Sequence, residues 1–189
     1  MIKDKEIIKE RIISAAMKIF SRHGFFKAPI HLIAEEAGVS KGLVFWYFRS
    51  KEELIIEVAK RSLPLEIIDS CLESGLTGEK ILECIGKGYM RKYRDSVQRN
   101  LLLHTMALES LYKEIAEGIN SLCEEKTREV AEKVFGKSTI NEKVALRAFF
   151  GGLLCYILRR PKDMEEEVFL RSLINMVIDG FKKENSPKL

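Results

Sequence analysis

Tryptophan occurs once in these 189 residues, histidine three times, and proline and cysteine four times each; every one of these scarcities narrows what the chain is able to be. With so few prolines, long stretches run unbroken. The Leu, Ile, Ala, Glu and Lys that fill them show little β-type alternation, so an all-α fold is expected. Cys71, Cys84, Cys123 and Cys155 form no CxxC pair, and none stands in a zinc-ligand spacing with His23, His31 or His104. They are expected to be free, mainly buried thiols in a reducing cytosol, with a redox-sensing thiol as the lesser alternative. The longest uncharged run, Ala148 to Leu158, is far short of the ~20 residues that span a bilayer. Charges occupy Ile2 to Arg11, where a signal peptide would carry its apolar segment, so a cytoplasmic protein without a membrane partner is expected. Nucleophile elbow, P-loop, HExxH and paired Glu-xx-His patterns are all missing, so neither an enzyme nor a bound cofactor or metal is expected.

What is present begins with an uneven charge. Residues 1–50 hold nine Lys or Arg against five Asp or Glu, whereas residues 51–189 hold 23 of each. A basic head on a neutral body is the electrostatic footprint of a nucleic-acid-binding module. The head reads as three helices. Ile12, Ala16, Ile19 and Phe20 form one stripe of a first helix over residues 5–22, stopped by Gly24. Pro29 suits the first turn of a second helix reaching Ala37. Gly38 and Val39 turn the chain, and Ser40 caps a third helix from Lys41 to Phe48. The capping box Ser50-Lys51-Glu52-Glu53 opens a fourth helix to about Arg61, which Pro64 ends or restarts.

A short amphipathic helix, a glycine turn and a second short helix make the helix-turn-helix arrangement, which presents the start of its second helix to the DNA major groove. Ala34 is small where the two helices cross, and Val39 and Val44 fill the angle between them. Residues 11–54 also resemble the DNA-binding segment of the TetR family. The resemblance runs through Ala15-Ala16, Ile19-Phe20, Gly24-Phe25, Ile33-Ala34-Glu35-Glu36-Ala37-Gly38-Val39-Ser40-Lys41-Gly42, Val44-Phe45-Trp46-Tyr47-Phe48 and Ser50-Lys51-Glu52-Glu53-Leu54. It implies a DNA-binding set of Pro29, Ser40, Lys41, Gly42, Leu43, Phe45, Trp46, Tyr47 and Lys51. Lys41 would donate to guanine and Leu43 would touch a thymine methyl. Gly42 would let the backbone approach the DNA, Trp46 would pack on a sugar or base edge or in the core, and Tyr47 and Lys51 would hold phosphate. The chain departs from the family at Phe45, where a tyrosine hydroxyl usually meets phosphate, and at Ala28-Pro29, where two hydroxyl residues are usual.

The body reads as further helices: Gly78–Arg94 after Thr77, then one from Asp95 or Ser96 to about Leu111, then Lys113–Phe135 stopped by Gly136. A Thr139/Glu142 capping box opens Ile140–Arg160, and Asp163 with Glu166 opens Met164–Lys183. That makes about nine helices, with a DNA-binding head at residues 1–50 and a helical ligand-binding and dimerisation body at 51–189. The segment 148–158 is apolar all round and must be covered on every side, partly by a second subunit. Gly151-Gly152 would permit close helix approach. The last helix carries Phe169, Leu173, Met176, Val177 and Phe181 on one stripe. The resemblance implies a homodimer through residues about 140–183. It also implies an effector cavity lined by Met90, Leu101, Leu102, His104, Thr105, Met106, Phe149 and Tyr156. The function expected is a repressor that binds a palindromic operator as a dimer and is released by a small apolar ligand. A regulator that activates, or acts without a ligand, is the alternative.

Overall fold

Two compact units make up the chain: Met1–Leu63 with Asp95–Ile119, and Pro64–Arg94 with Asn120–Leu189. The computed structural model describes residues 2–108 and 113–184. Among these the elements are all helices, ten of them. In the first unit lie α1 (Ile2–His23), α2 (Ile30–Ala37), α3 (Lys41–Tyr47), α4 (Lys51–Ser62) and α7 (Ser96–Ala107). The second holds α5 (Leu65–Glu73), α6 (Glu79–Lys92), α9 (Ile140–Arg159) and α10 (Glu166–Glu184), while α8 (Lys113–Phe135) contributes to both.

The first unit is organised on α1. Its expected stripe, Ile12, Ala16, Ile19 and Phe20, is buried together with Ile13. Helices α2, α4 and α7 all pack against α1, and α4 also packs on α7. Phe20 meets Phe25 edge-on at 5.3 Å, and Phe25 in turn meets the His104 ring of α7 at 6.1 Å. Between α4 and α7 a buried hydroxyl pair, Ser62 and Thr105, lies at 2.7 Å, and Ser62 also reaches the Ala59 carbonyl at 2.7 Å. Isolated, either hydroxyl would lose its solvent partners; together they satisfy one another. At the surface the Arg61 guanidinium donates to both oxygens of Glu10 at 2.6 Å, tying α4 to α1, and its Nε donates to Glu57 at 2.9 Å. That hydrogen-bonded cation holds the Glu10 carboxyl below the usual range.

In the second unit α6 packs against α5, α9 and α10. Two glycines of α6 permit this crowding. A Cβ on Gly86 would sit 2.3 Å from Leu170 Cδ1, and one on Gly88 would sit 2.5 Å from Ile67 Cγ2. Gly152 similarly accepts Leu173 of α10, the close approach expected of the Gly151-Gly152 pair, whereas Gly151 meets nothing within 4 Å.

Several expectations need correction here. Cys71 and Cys84 are not free thiols: they form a disulfide joining α5 to α6. Helix α5 itself is an addition to the expected set; Pro64 restarts the chain into it. The bridging positions are 13 residues apart in sequence but their Cα atoms lie 5.9 Å apart, because the two helices fold back on one another. A search for CxxC spacing has no access to that juxtaposition. Cys155 is exposed and Cys123 is half-buried, so the two cysteines outside the disulfide are not deep core groups either. Helix α10 begins at Glu166, later than the Asp163 signal implied, and its inward face is Leu170, Leu173, Ile174 and Val177. Met176 is not buried with Leu173 and Val177; it is 67% exposed, on the flank of that face. The Phe181 side chain lies outside the described residues, as does Leu111.

The Thr139/Glu142 capping box of α9 is formed. The Thr139 amide donates to Glu142 Oε2 at 2.8 Å, the Thr139 hydroxyl reaches the same oxygen, and Lys137 lies 3.4 Å from Oε1. Desolvation pushes this covered carboxyl up, but the Thr139 hydroxyl, the Thr139 and Glu142 amides and Lys137 together pull it below the usual range. A depressed folded-state pKa stabilises the fold above the unfolded carboxylate pKa and stops doing so as pH falls through the folded value. Glu142→Gln is therefore expected to destabilise the protein at neutral pH and to flatten the acid limb of its stability profile below about pH 4.5. Urea midpoints at neutral and acid pH check this, and equal losses at both would refute the assignment.

Candidate nucleic-acid interface

The turn between α2 and α3 is built by glycine geometry. Gly38 adopts φ 62°, ψ 39°, a left-handed conformation that a Cβ disfavours. From that position its amide donates to Glu35 O at 3.0 Å, while Val39 N donates to Ala34 O at 2.9 Å. These paired bonds close the end of α2 as a Schellman motif. The Arg11 guanidinium adds a third partner, donating to Ala37 O at 2.7 Å, and a Cβ on Gly38 would stand 3.0 Å from that Arg11 nitrogen. Arg11 escapes a reading of the sequence because its partner lies 26 residues away and no local pattern marks it.

At the start of α3, Ser40 has extended backbone and its hydroxyl accepts from Leu43 N at 3.1 Å, so this residue serves as the cap. Pro29 plays the corresponding part for α2 without a side-chain bond: it is the N-cap itself rather than the first helical residue. The pattern along α3 then sorts its side chains. Val44 and the following Phe48 are buried, Leu43 and Tyr47 are half-buried, and Lys41, Gly42, Phe45 and Trp46 are exposed. Spacings of three and four residues put the exposed members on one face. Phe45 is 40% and Trp46 61% exposed, which excludes a core role for the indole. Contiguous exposed apolar surface is a more informative mark of an interaction site than a single exposed apolar residue. The Lys41 ammonium lies 5.9 Å from the Phe45 ring, and Trp46 meets Tyr47 edge-on at 4.8 Å.

Lys51 is the first residue of α4. Its ammonium donates to the Phe26 carbonyl at 2.6 Å, bridging α4 to the loop after α1, and burial pulls its pKa down. In this state it braces the head. Ser50 caps α4 by accepting from Glu53 N at 3.1 Å, and the Glu53 carboxylate accepts in return from Arg49 N at 2.8 Å.

The residues expected to line an effector cavity divide between the units. Leu101, Leu102 and Thr105 are buried in the first, where Thr105 is engaged by Ser62. His104 is half-buried against Gly24 and Phe25, and Met106 is 53% exposed. Met90, Phe149 and Tyr156 are buried in the second unit, where Tyr156 stacks on Phe169 at 4.4 Å and donates to Met164 O at 3.1 Å. Among the described residues no group of three or more metal-ligating side chains occurs, and no helix is long and apolar enough to cross a membrane.

Residues 12–58 match the model for bacterial regulatory proteins of the tetR family. The HTH-type transcriptional regulator SrpR of Pseudomonas putida is 40% identical over 65 residues, which are 34% of this chain and 30% of that one. The chain thus matches under a third of that relative's length. Among solved structures, a transcriptional regulator of Aquifex aeolicus is 25% identical with a TM-score of 0.64, covering 94% of this chain and 99% of that one. The FadR of Bacillus subtilis, solved in complex with stearoyl-CoA, has a TM-score of 0.64 at 18% identity and covers 90% and 98% of the two chains.

Proposed function

From a chain that belongs to the tetR family of bacterial regulatory proteins, with its family match at residues 12–58, we propose a dimeric repressor that binds a palindromic operator and leaves it when a small apolar ligand enters the body. The observation that carries the DNA-binding half is the exposed face of α3. Lys41, Gly42, Phe45 and Trp46 lie open on a helix that is braced from behind by Val44 and Phe48. Short, capped and projecting, such a helix suits entry into the major groove. Lys41 supplies the guanine donor and Leu43 the methyl contact, with Ser40 and Pro29 fixing the helix starts. Tyr47 and, if released from Phe26, Lys51 reach phosphate.

Dimerisation through residues about 140–183 is supported by what α9 and α10 leave uncovered. Ile140, Val144, Gly151, Cys155 and Leu158 are exposed along one side of α9, and Val168 and Met176 along one side of α10. Two such heads, related by a twofold axis, would match the symmetry of a palindrome. For the ligand, Met90 and Phe149 offer buried apolar surface in the second unit. The proposed division of labour is DNA binding by residues 1–50, and ligand binding and dimerisation by 51–189. To invert an occupancy from 99:1 to 1:99, the effector must favour the released state by about 5.5 kcal/mol.

The test is selection of bound fragments from the source genome by purified protein, followed by footprinting. A palindrome overlapping a promoter is expected. Lys41→Ala is expected to cost about 1–3 kcal/mol at the selected site and to relax base preference at one position per half-site. An unchanged preference at every position would remove Lys41 from base reading. A site lying upstream of the promoter would favour activation instead.

A further inference from the structure

The sequence-derived set of DNA contacts begins at Pro29, yet the structure brings one earlier side chain to the exposed face of α3. Lys5, in the second turn of α1, holds its ammonium 5.2 Å from the centroid of the Trp46 ring. Forty-one positions separate them, and both are exposed. Trp46 lies on the open side of α3 beside Phe45, so a cation carried on it stands at the edge of whatever that face meets.

The chemistry of this pair differs from that of an ion pair. An indole face attracts an ammonium through its quadrupole without accepting a directed N–H bond from it. The charge is held in place while its three donors remain able to meet oxygens. The neighbours Asp4 and Glu6 leave α1 about 100° to either side of Lys5, since adjacent helical residues do not share a face. Arg11 and Lys18, farther along α1, are committed to α2: Arg11 to Ala37 O at 2.7 Å and Lys18 to Glu36 at 2.8 Å. The contact given to Lys5, in contrast, leads to the exposed helix.

The geometry points to Lys5 as a DNA-backbone contact, positioned by Trp46 and meeting a phosphate that flanks the groove occupied by α3. This rests on the DNA-binding reading above. As a contact to phosphate rather than to bases, it adds affinity equally on all sequences and releases one counterion per head.

The experiment uses the full-length protein and a short fluorescein-labelled duplex of mixed sequence, with affinity measured across a salt series. For each head bound, Lys5→Gln is expected to lower the slope of log K against log salt by about 0.9 and the affinity at about 0.15 M salt about fivefold. Lys5→Arg keeps the charge and is expected to restore both. The thermal unfolding midpoint of Lys5→Gln should match that of the wild type, because the residue is exposed. Since Trp46 is the only tryptophan, its emission reports the loss of the ammonium from its ring directly. An unchanged slope in Lys5→Gln, with wild-type binding intact, overturns the assignment. A loss confined to particular base sequences also overturns it, by making Lys5 a base reader. Wild-type protein that binds no duplex at any salt overturns the DNA-binding reading itself, and the backbone contact with it.

Discussion

Phe20→Ala is expected to destabilise the protein by about 3–5 kcal/mol, the cost of deleting a fully buried aromatic side chain together with the cavity it leaves. Phe20 has no exposed surface, and its ring lies edge-on to Phe25, which packs in turn on His104 of α7. The aromatic pair contributes about 0.5–1.5 kcal/mol beyond its buried area. Filling the hole would require α1, the loop carrying Phe25, and α7 to move together, so little relaxation is available. Urea unfolding followed by circular dichroism should show a lowered midpoint, and the same variant should lose DNA binding at temperatures where wild type keeps it. A loss below about 1 kcal/mol would mean that the site collapses freely, and that α7 is not firmly joined to the helix-turn-helix.

Raising salt from about 50 to about 200 mM is expected to lower operator affinity by about a thousandfold, the loss for about six neutralised phosphates. Six corresponds to three cations from each of two heads, with Lys5 and Lys51 among them. The uneven charge is the reason for so steep a fall: the net positive charge resides in residues 1–50, while the remainder is neutral. Filter binding or fluorescence anisotropy across a salt series gives the slope. A fall of less than tenfold would mean that few phosphates are met and that affinity comes from elsewhere.

Much of the head is legible directly. Its stripes and caps are set by residues within four positions of one another, and the structure keeps them: Ile12, Ala16, Ile19 and Phe20 inside, Gly38 left-handed, and Ser40 and Ser50 as caps. The α9 capping box and the Gly136 stop after α8 are equally local. Helix α5 escapes such a reading because a nine-residue helix following Pro64 gives too few turns for a clear period. Met176 falls on the flank of the buried face because a stripe read at spacings of three and four residues does not say which of two adjacent faces is covered.

The DNA-contact set is legible as a list but not as an arrangement. Local pattern gives Lys41, Gly42 and Trp46 their places on α3. It does not reveal that Lys51 turns inward to the Phe26 carbonyl, or that Lys5 reaches Trp46. The effector set is less legible still, since being apolar and central in sequence does not decide which unit a side chain joins. His104 belongs against Phe25, and Met106 faces outward.

By itself, then, the sequence determined the all-helical class, the helix-turn-helix and its caps, and the basic head, because propensity, capping and charge act over one or two turns of chain. Tertiary structure alone decided the Cys71–Cys84 bridge, the Arg11 bond to the end of α2, the Ser62–Thr105 pair and the sides of α9 and α10 left uncovered. Each of these depends on residues 13 or more positions apart, or on which neighbour covers a helix face, and these are settled only when the helices pack.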